Sequence, residues 1–447
     1  MRPRIKGIQL AVLTVFLFST TFTAAQYSTS TPYAPLTIAN PPNGDSCANT
    51  WYDPEVFVLP NATDLGLLAQ AGAPNPCQTL PYDSIYPASR NSVGAWTSPS
   101  ATQCPRLKGE YVRCGWTGGA NAGPIGSPSV IRLPNTSSAN GYRYFMAFGG
   151  GNADYVHGKV YWAYSDDGIN WNVYTNSSLP EIWAPLVQAK YERSSSAPRS
   201  TPACSLPSGI GQLQIAYENG YVYLFSQYNH PIQPECSDRD SSACVNSPYK
   251  GYDRAFSSLL MRFTYNNGHS WGFGSGWSIF HNGAWVAHSG KLVFGYDVNA
   301  SGVQLPADTG NPVIGIYNSV QTAGFEFGGG DVKYGNGKWL HVWSFDGTWA
   351  QTATCLDPTV CGWGTRQQIN LNNITANGYS NLVEIMPGIH YGALRKADGT
   401  YTGTHWWIWV PAPTGNKACY DGPDRNLFAG LSLIPAQLCT PDVPCGP

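Results

Sequence analysis

Asp331, Glu326, Asp154 and Asp297 each stand at the start of a short alternating segment, just after one, or in a link leading into one; Asp346 stands beside a turn. Carboxyl groups held on opposite sides of one bond can do complementary work. A protonated one donates to a leaving oxygen, while an ionised one activates water or attacks carbon. Crowding such groups into a narrow space raises the pKa of one of them, as an acid requires. Asp331 is expected as base or nucleophile and Glu326 as acid, with Asp154 and Asp297 as tuning or substrate-binding groups. Flat aromatic rings beside them would receive the apolar face of a ring-shaped ligand. Trp285, Tyr155 and Trp349 are the expected platforms, and Asp346 is a further binding group. An Asp after a strand is also the ordinary cap of a turn, so convergence on one face is what separates the two roles.

The elements that must position these groups are short strands. Ser127–Ile131, Tyr142–Phe148 and Lys159–Ser165 alternate in side-chain character, and the run ends in Asp166-Asp167-Gly168-Ile169-Asn170-Trp171. This reads as one four-stranded blade of a β-propeller. A second blade opens at Gln212 and ends in Asn267-Gly268-His269-Ser270-Trp271; further blades open near Ala284, Gly330 and His390. The fold expected is all-β, a five-bladed β-propeller over 125–447 with a disulfide-containing N-terminal extension over 47–124. Leu65–Ala71 is the one helix-like piece of that extension. In a propeller the first strands start at one mouth of the central channel. Acids at the starts of first strands, at the ends of second strands and in the links between blades therefore gather there. Asp166 and Asp167 lie at the opposite end and are set aside.

Composition narrows the class. Arg2, Arg4 and Lys6 precede an apolar run from Ile8 to Phe18 and the small residues Ala24-Ala25, which reads as a signal peptide over 1–25. Residues 26–46 read as a flexible leader. Without the three N-terminal cations, 22 basic residues face 27 acidic ones, a net charge of −5. That balance excludes nucleic acid and anionic membranes as partners. Aromatic residues (13%) outnumber charged ones (12%), and 49 Gly and 35 Pro punctuate the chain, which suits many strands and turns. All twelve Cys lie beyond the signal segment, and an export route makes disulfides the natural reading. Cys104 with Cys114, Cys236 with Cys244, Cys355 with Cys361, and Cys439 with Cys445 are close enough to staple loops locally. Cys47, Cys77, Cys204 and Cys419 have no readable pairing. The chain is expected as a monomer, secreted to the extracellular space, or to the periplasm of a Gram-negative host.

The Ser-Asp-Asp-Gly-Ile-Asn-Trp string at 165–171 and the strand rhythm over roughly 125–410 resemble the five-bladed propeller glycosidases, glycoside hydrolase families 43 and 32. Their first strand opens as Asp-Pro-x-Val, where the Asp is the general base. The matching string here is taken to be Ser127-Pro128-Ser129-Val130, so the resemblance implies divergence at the base position. It also implies a carbohydrate ligand, hydrolysis of glycosidic bonds by paired carboxylates, and no organic cofactor. A structural ion such as calcium at the axis, near His341 or His390, is compatible with it. The alternative is a non-catalytic propeller that binds glycan or protein.

Overall fold

In a computed structural model the described residues are 27–33, 38–39, 51–60, 65–71, 84–90, 96–97, 107, 125–133, 144–150, 159–176, 179–183, 187–192, 209–231, 254–264, 277–281, 283–288, 291–295, 298–299, 302–303, 329–344, 347–371, 374, 387–396, 398–413, 431–442 and 445. Their regular elements are all strands. β1 (Tyr27–Thr29) comes first. β2 (Ile38–Ala39), β3 (Trp51–Val58), β4 (Leu65–Ala71), β5 (Ser84–Arg90) and β6 (Trp96–Thr97) form a sheet in the order β2-β6-β5-β4-β3. β7 (Ile125–Arg132), β8 (Tyr144–Gly150), β9 (Lys159–Ser165) and β10 (Asn172–Val173) build the next sheet. A separate hairpin follows, β11 (Thr175–Asn176) with β12 (Leu179–Trp183), and β13 (Val187–Glu192) then returns to the outside of β9.

β14 (Gly209–Glu218), β15 (Tyr221–Pro231), β16 (Arg254–Thr264), β17 (Trp277–His281) and β18 (Ala284–His288) run as one antiparallel meander. β19 (Lys291–Gly295) lies parallel to β13 on the sheet begun by β7. β20 (Val298–Asn299) and β21 (Gly302–Val303) pair with each other. The final sheet has eight strands in two meanders. One is β22 (Gly329–Gly335), β23 (Lys338–Ser344), β24 (Thr348–Ala353) and β25 (Gln367–Asn370). The other is β26 (Gly388–Arg395), β27 (Tyr401–Pro413) and β28 (Leu431–Cys439). β1 joins them, parallel to β25 and antiparallel to β28.

The first strands of these meanders stand in a ring. β3 lies against β7, β7 against β14, β14 against β22, β22 against β26, and β26 against β3. Apolar cores fill the spaces between neighbouring sheets. β8 shows why its sequence has no polar face: Tyr144, Met146 and Phe148 pack toward β3, while Phe145 and Ala147 pack toward β14. A strand buried on both faces reads as a continuous apolar run. Large buried side chains such as Trp162, Phe145 and Phe263 fill the β7–β14 space, each worth roughly 1.5–3 kcal/mol of transfer energy when fully covered.

Three differences from the sequence reading have clear causes. Leu65–Ala71 has helix formers but is a strand, because β3 and β5 pair with it on both edges; intrinsic propensity is weak beside such pairing. Ala284-Trp285-Val286 does not open a sheet. It is the outer strand β18, folded back on β17 by a tight turn at Gly283, whose φ is 79°. β3, β4, β5 and β6, which fall in the segment expected as an extension, form a sheet with β2, and its edge strand β3 takes a place in the ring. The Cys355–Cys361 and Cys439–Cys445 disulfides form as the sequence spacing predicts. The other eight Cys lie outside the described residues.

Candidate active site

Neighbouring ring strands share no backbone ladder, so their inner edges carry N–H groups that need partners. Side chains supply them at one repeated position. Glu55 Oε1 accepts from Val130 N at 2.9 Å, Ser129 Oγ from Ile215 N at 3.0 Å, and Asp331 Oδ2 from Ile389 N at 3.0 Å. In each case the acceptor strand reaches the residue just after the equivalent position of its neighbour. The five equivalent positions are thus Glu55, Ser129, Gln214, Asp331 and Gly388, each followed by Val or Ile. Only Gly fits the last, since a Cβ on Gly388 would lie 2.1 Å from the carbonyl oxygen of Pro54. Gln214 is fully buried, and its amide has no hydrogen-bond partner among the described residues.

Lys333 follows Asp331 by two residues, so both face the same side of β22. Its ammonium crosses the axis to Glu55 on β3, lies 3.2 Å from Asp331 Oδ1, and donates to the Val130 carbonyl at 3.3 Å. Burial pushes Glu55 up to about 8, with the charge of Asp331 adding and Lys333 opposing. Asp331 is raised too, chiefly by burial, against the pull of Lys333 and of the N–H groups of Ile389 and Val332. Lys333 loses from burial, but the two carboxyls more than offset this and raise it. Two buried acids share one partly buried base, and both carboxyls are raised. His390, on β26, is held neutral by burial and by the Lys333 charge, with its pKa lowered to about 4.

Above this floor, toward the starts of the strands, lies a second pair. β3, β7 and β14 each carry a β-bulge at the same place, two residues of the inner strand opposing one of its partner, just before Glu55, Ser129 and Gln214. On β3 and β7 the first bulged residue is Asp53 and Ser127. Both have φ near 50°, a left-handed conformation usually left to Gly. Ser127 Oγ donates to Asp53 Oδ2 at 2.9 Å. Ser127 is buried and Asp53 half-buried, with the Oδ1 atom of its carboxyl covered.

The expected residues fall in several places. Asp331 is at the ring, but 1% exposed, with both oxygens hydrogen-bonded to backbone N–H groups. Glu326, Asp154, Asp297, Asp346 and Tyr155 lie outside the described residues. Trp349 is level with Gly330 but two strands out, its ring 4.7 Å from the Arg366 guanidinium. Trp285 stands on the outer strand β18, 4.1 Å from Arg262, and donates to Asp357 Oδ1 at 2.9 Å. His341 lies between sheets, stacked on Trp343 at 4.7 Å, and burial lowers its pKa well below the usual value. An axial divalent cation fits this donor set poorly. Lys333's ammonium already takes the oxygens of Glu55, Asp331 and Val130, and no three His, Cys, Asp or Glu converge among the described residues.

Asp53 was missed by the sequence reading. Its signal is plain in retrospect: Asp53-Pro54-Glu55-Val56 is the Asp-Pro-x-Val form, one sheet earlier than Ser127-Pro128-Ser129-Val130. β3 stands beside β7 in the ring, so the two strings hold equivalent places on adjacent strands.

No protein-family model matches the chain, and no curated protein does. Among solved structures, it is similar to a family 117 glycoside hydrolase of the marine bacterium Zobellia galactanivorans, at 10% identity over 93% of this chain and 90% of that one, TM-score 0.45. It is similar to a thermostable family-43 glycoside hydrolase at 11% identity, 90% and 92% covered, TM-score 0.42. The catalytic domain of a GH62 alpha-L-arabinofuranosidase of Coprinopsis cinerea gives 9% identity, 94% and 99% covered, TM-score 0.41. Likenesses this distant assign no residue of this chain a role.

Proposed function

We propose that this chain is a secreted five-bladed β-propeller that hydrolyses glycosidic bonds of a polysaccharide or its oligosaccharides, with Asp53 as general base or nucleophile. The first blade in this reading is built from residues 51–97, and β1 closes the last two blades together. One observation carries the proposal: a partly buried carboxyl in a left-handed bulge at the start of a ring strand, held by a neighbouring hydroxyl. Strain of about 1–3 kcal/mol at such a residue persists only where the surroundings enforce it, and it gathers at functional positions. The Asp53-Pro54-Glu55-Val56 string has the form that the propeller glycosidases use for their base.

The carboxyls below have another task in this reading. Glu55 and Asp331 are latches between ring strands and, with Lys333, lie below Asp53 along the ring. The second catalytic carboxyl then comes from the links at the same end of the ring. Glu326 enters β22, Asp154 follows β8, and Asp297 follows β19. Trp349, Tyr155 and Asp346 remain proposed sugar contacts.

The test is release of reducing ends from a panel of plant and microbial polysaccharides, wild type against Asp53→Asn. Loss of the base should lower turnover by on the order of 10²–10⁴. Hydrolysis that survives unchanged in the variant would discard Asp53. A wild type that cleaves nothing and binds a glycan would leave a binding propeller instead.

A further inference from the structure

Ser127 and Asp53 hold the same place on adjacent strands. Each is the first residue of a bulge, each has φ near 50°, and each begins an x-Pro-x-Val string. The repeat has an acid in one copy and a hydroxyl in the other. We propose that Ser127 is the positioning residue for Asp53, fixing the carboxylate's orientation and holding it ionised. The proposal deepens the hydrolase reading and rests on it for its kinetic consequences, though not for the contact itself.

The physical case has three parts. First, a hydroxyl beside an ionised carboxylate can only donate, and a bond to the charged form favours that form. The Ser127 Oγ to Asp53 Oδ2 distance of 2.9 Å is that of a working hydrogen bond. Second, the donor is itself well held. Ser127 is 5% exposed and begins two residues before Ser129, whose Oγ ties β7 to Ile215 of β14. The donor therefore sits on a fixed strand and not on a loop, which gives the precision that catalysis demands. Third, the left-handed backbone at Ser127 is costly for a residue with a Cβ. Gly would relieve it, yet the position carries a hydroxyl.

Ser127→Ala and Ser127→Gly separate the hydroxyl from the strain. The first removes the hydroxyl and keeps the strain; the second removes both. In the proposal both variants lose turnover about tenfold with KM unchanged, and the acidic limb of the pH–rate profile moves to higher pH in both. A readout independent of turnover uses protein labelled with ¹³C at the Asp carboxyl carbons, with Asp53→Asn to assign the signal. The Asp53 signal should titrate at higher pH in both variants than in the wild type.

An unmoved Asp53 signal overturns the proposal whatever the kinetics. Full turnover in Ser127→Gly with loss only in Ser127→Ala overturns it too, since strain and not the hydroxyl would then be at work. A wild type without hydrolytic activity whose Asp53 signal moves on substitution sinks the hydrolase reading and leaves the Ser127–Asp53 coupling standing.

Discussion

Two buried or half-buried acid–base clusters with similar partners behave in opposite ways. At the axis, Glu55 and Asp331 face Lys333, and both carboxyls are raised. On the outer wall, Asp357 accepts from Arg262 at 2.5 Å, from Trp285 at 2.9 Å and from Thr359 N at 2.9 Å. There burial would raise the carboxyl, but the bonds from Thr359, Trp285 and Arg262 outweigh it and lower its pKa. Exposure explains part of the contrast, since the Asp357 side chain is 18% exposed and that of Asp331 1%. Stoichiometry explains the rest. The outer pair is one acid to one base, with Arg262 held between the rings of Tyr221 and Trp285. The axis has two acids to one base, so one cation cannot neutralise both of these buried carboxyls, and both are raised. Outside, the ion pair docks the loop closed by Cys355–Cys361 onto its neighbour sheet. Inside, the cluster links β3, β7, β22 and β26 across the ring.

The comparison breaks most visibly at Lys333. Lys333→Met leaves two buried carboxyls with no cation, and removing one partner of a buried pair costs about 3–5 kcal/mol. The loss should be greatest near pH 8 and shrink toward pH 5, where protonation removes the repulsion. Urea denaturation at the two pH values measures it. An equal loss at both would mean that Lys333 matters through its packed stem and not its charge.

Replacing one axial acid makes the two clusters alike. Glu55 is raised in the folded state, to about 8 from 4.5. Across that window the folded chain binds more protons than the unfolded one, so this group's stabilisation is full below about 4.5 and is lost as pH rises through 8. Asp357 has the other sign: its lowered pKa stabilises above the unfolded value of 3.8, and that contribution is lost as pH falls. His390, lowered to about 4, also loses stabilisation as pH falls below its ordinary 6.5, so only differences from the wild type isolate each acid. Glu55→Gln should flatten the stability profile between pH 5 and 8. Asp357→Asn should leave that range alone and flatten the limb below pH 4. Parallel profiles for wild type and Glu55→Gln would contradict the raised carboxyl.

The same contrast shows what sequence could and could not display. Alternation and Gly-containing turns are local, so most strands from β7 onward were legible, as were the two short disulfide loops. Closure is not local. Tyr27–Thr29 looks like leader, yet it pairs with strands more than 300 residues away. Leu65–Ala71 looks helical until β3 and β5 flank it. At the site, Asp331 was singled out for its place at a strand start, and its place at the ring is real. What spacing could not reveal is that its oxygens are already committed to Val332 N and Ile389 N. Lys333 drew no notice because nothing in the sequence says that an ammonium two residues on crosses the axis. Asp53-Pro54-Glu55-Val56 is legible as a string, but that it stands beside Ser127-Pro128-Ser129-Val130 depends on the contact of β3 with β7, which is not local.

The neutral latch gives the smallest effect and the cleanest reading of the ring. Ser129 occupies the position held by Glu55 and Asp331, but its own side chain carries no charge. Its hydroxyl meets Ile215 N at 3.0 Å where β7 faces β14. Ser129→Ala removes that acceptor and leaves a buried N–H unsatisfied, which costs about 1–3 kcal/mol. Because no ionisable group is involved, the loss should be the same at pH 5 and pH 8, unlike that of Lys333→Met. Amide exchange should quicken at Ile215 while Val130 and Ile389, latched by Glu55 and Asp331, stay protected. A loss that spread to all three amides would mean the latches act as one cooperative ring, and that the charged and neutral positions cannot be treated as separate devices.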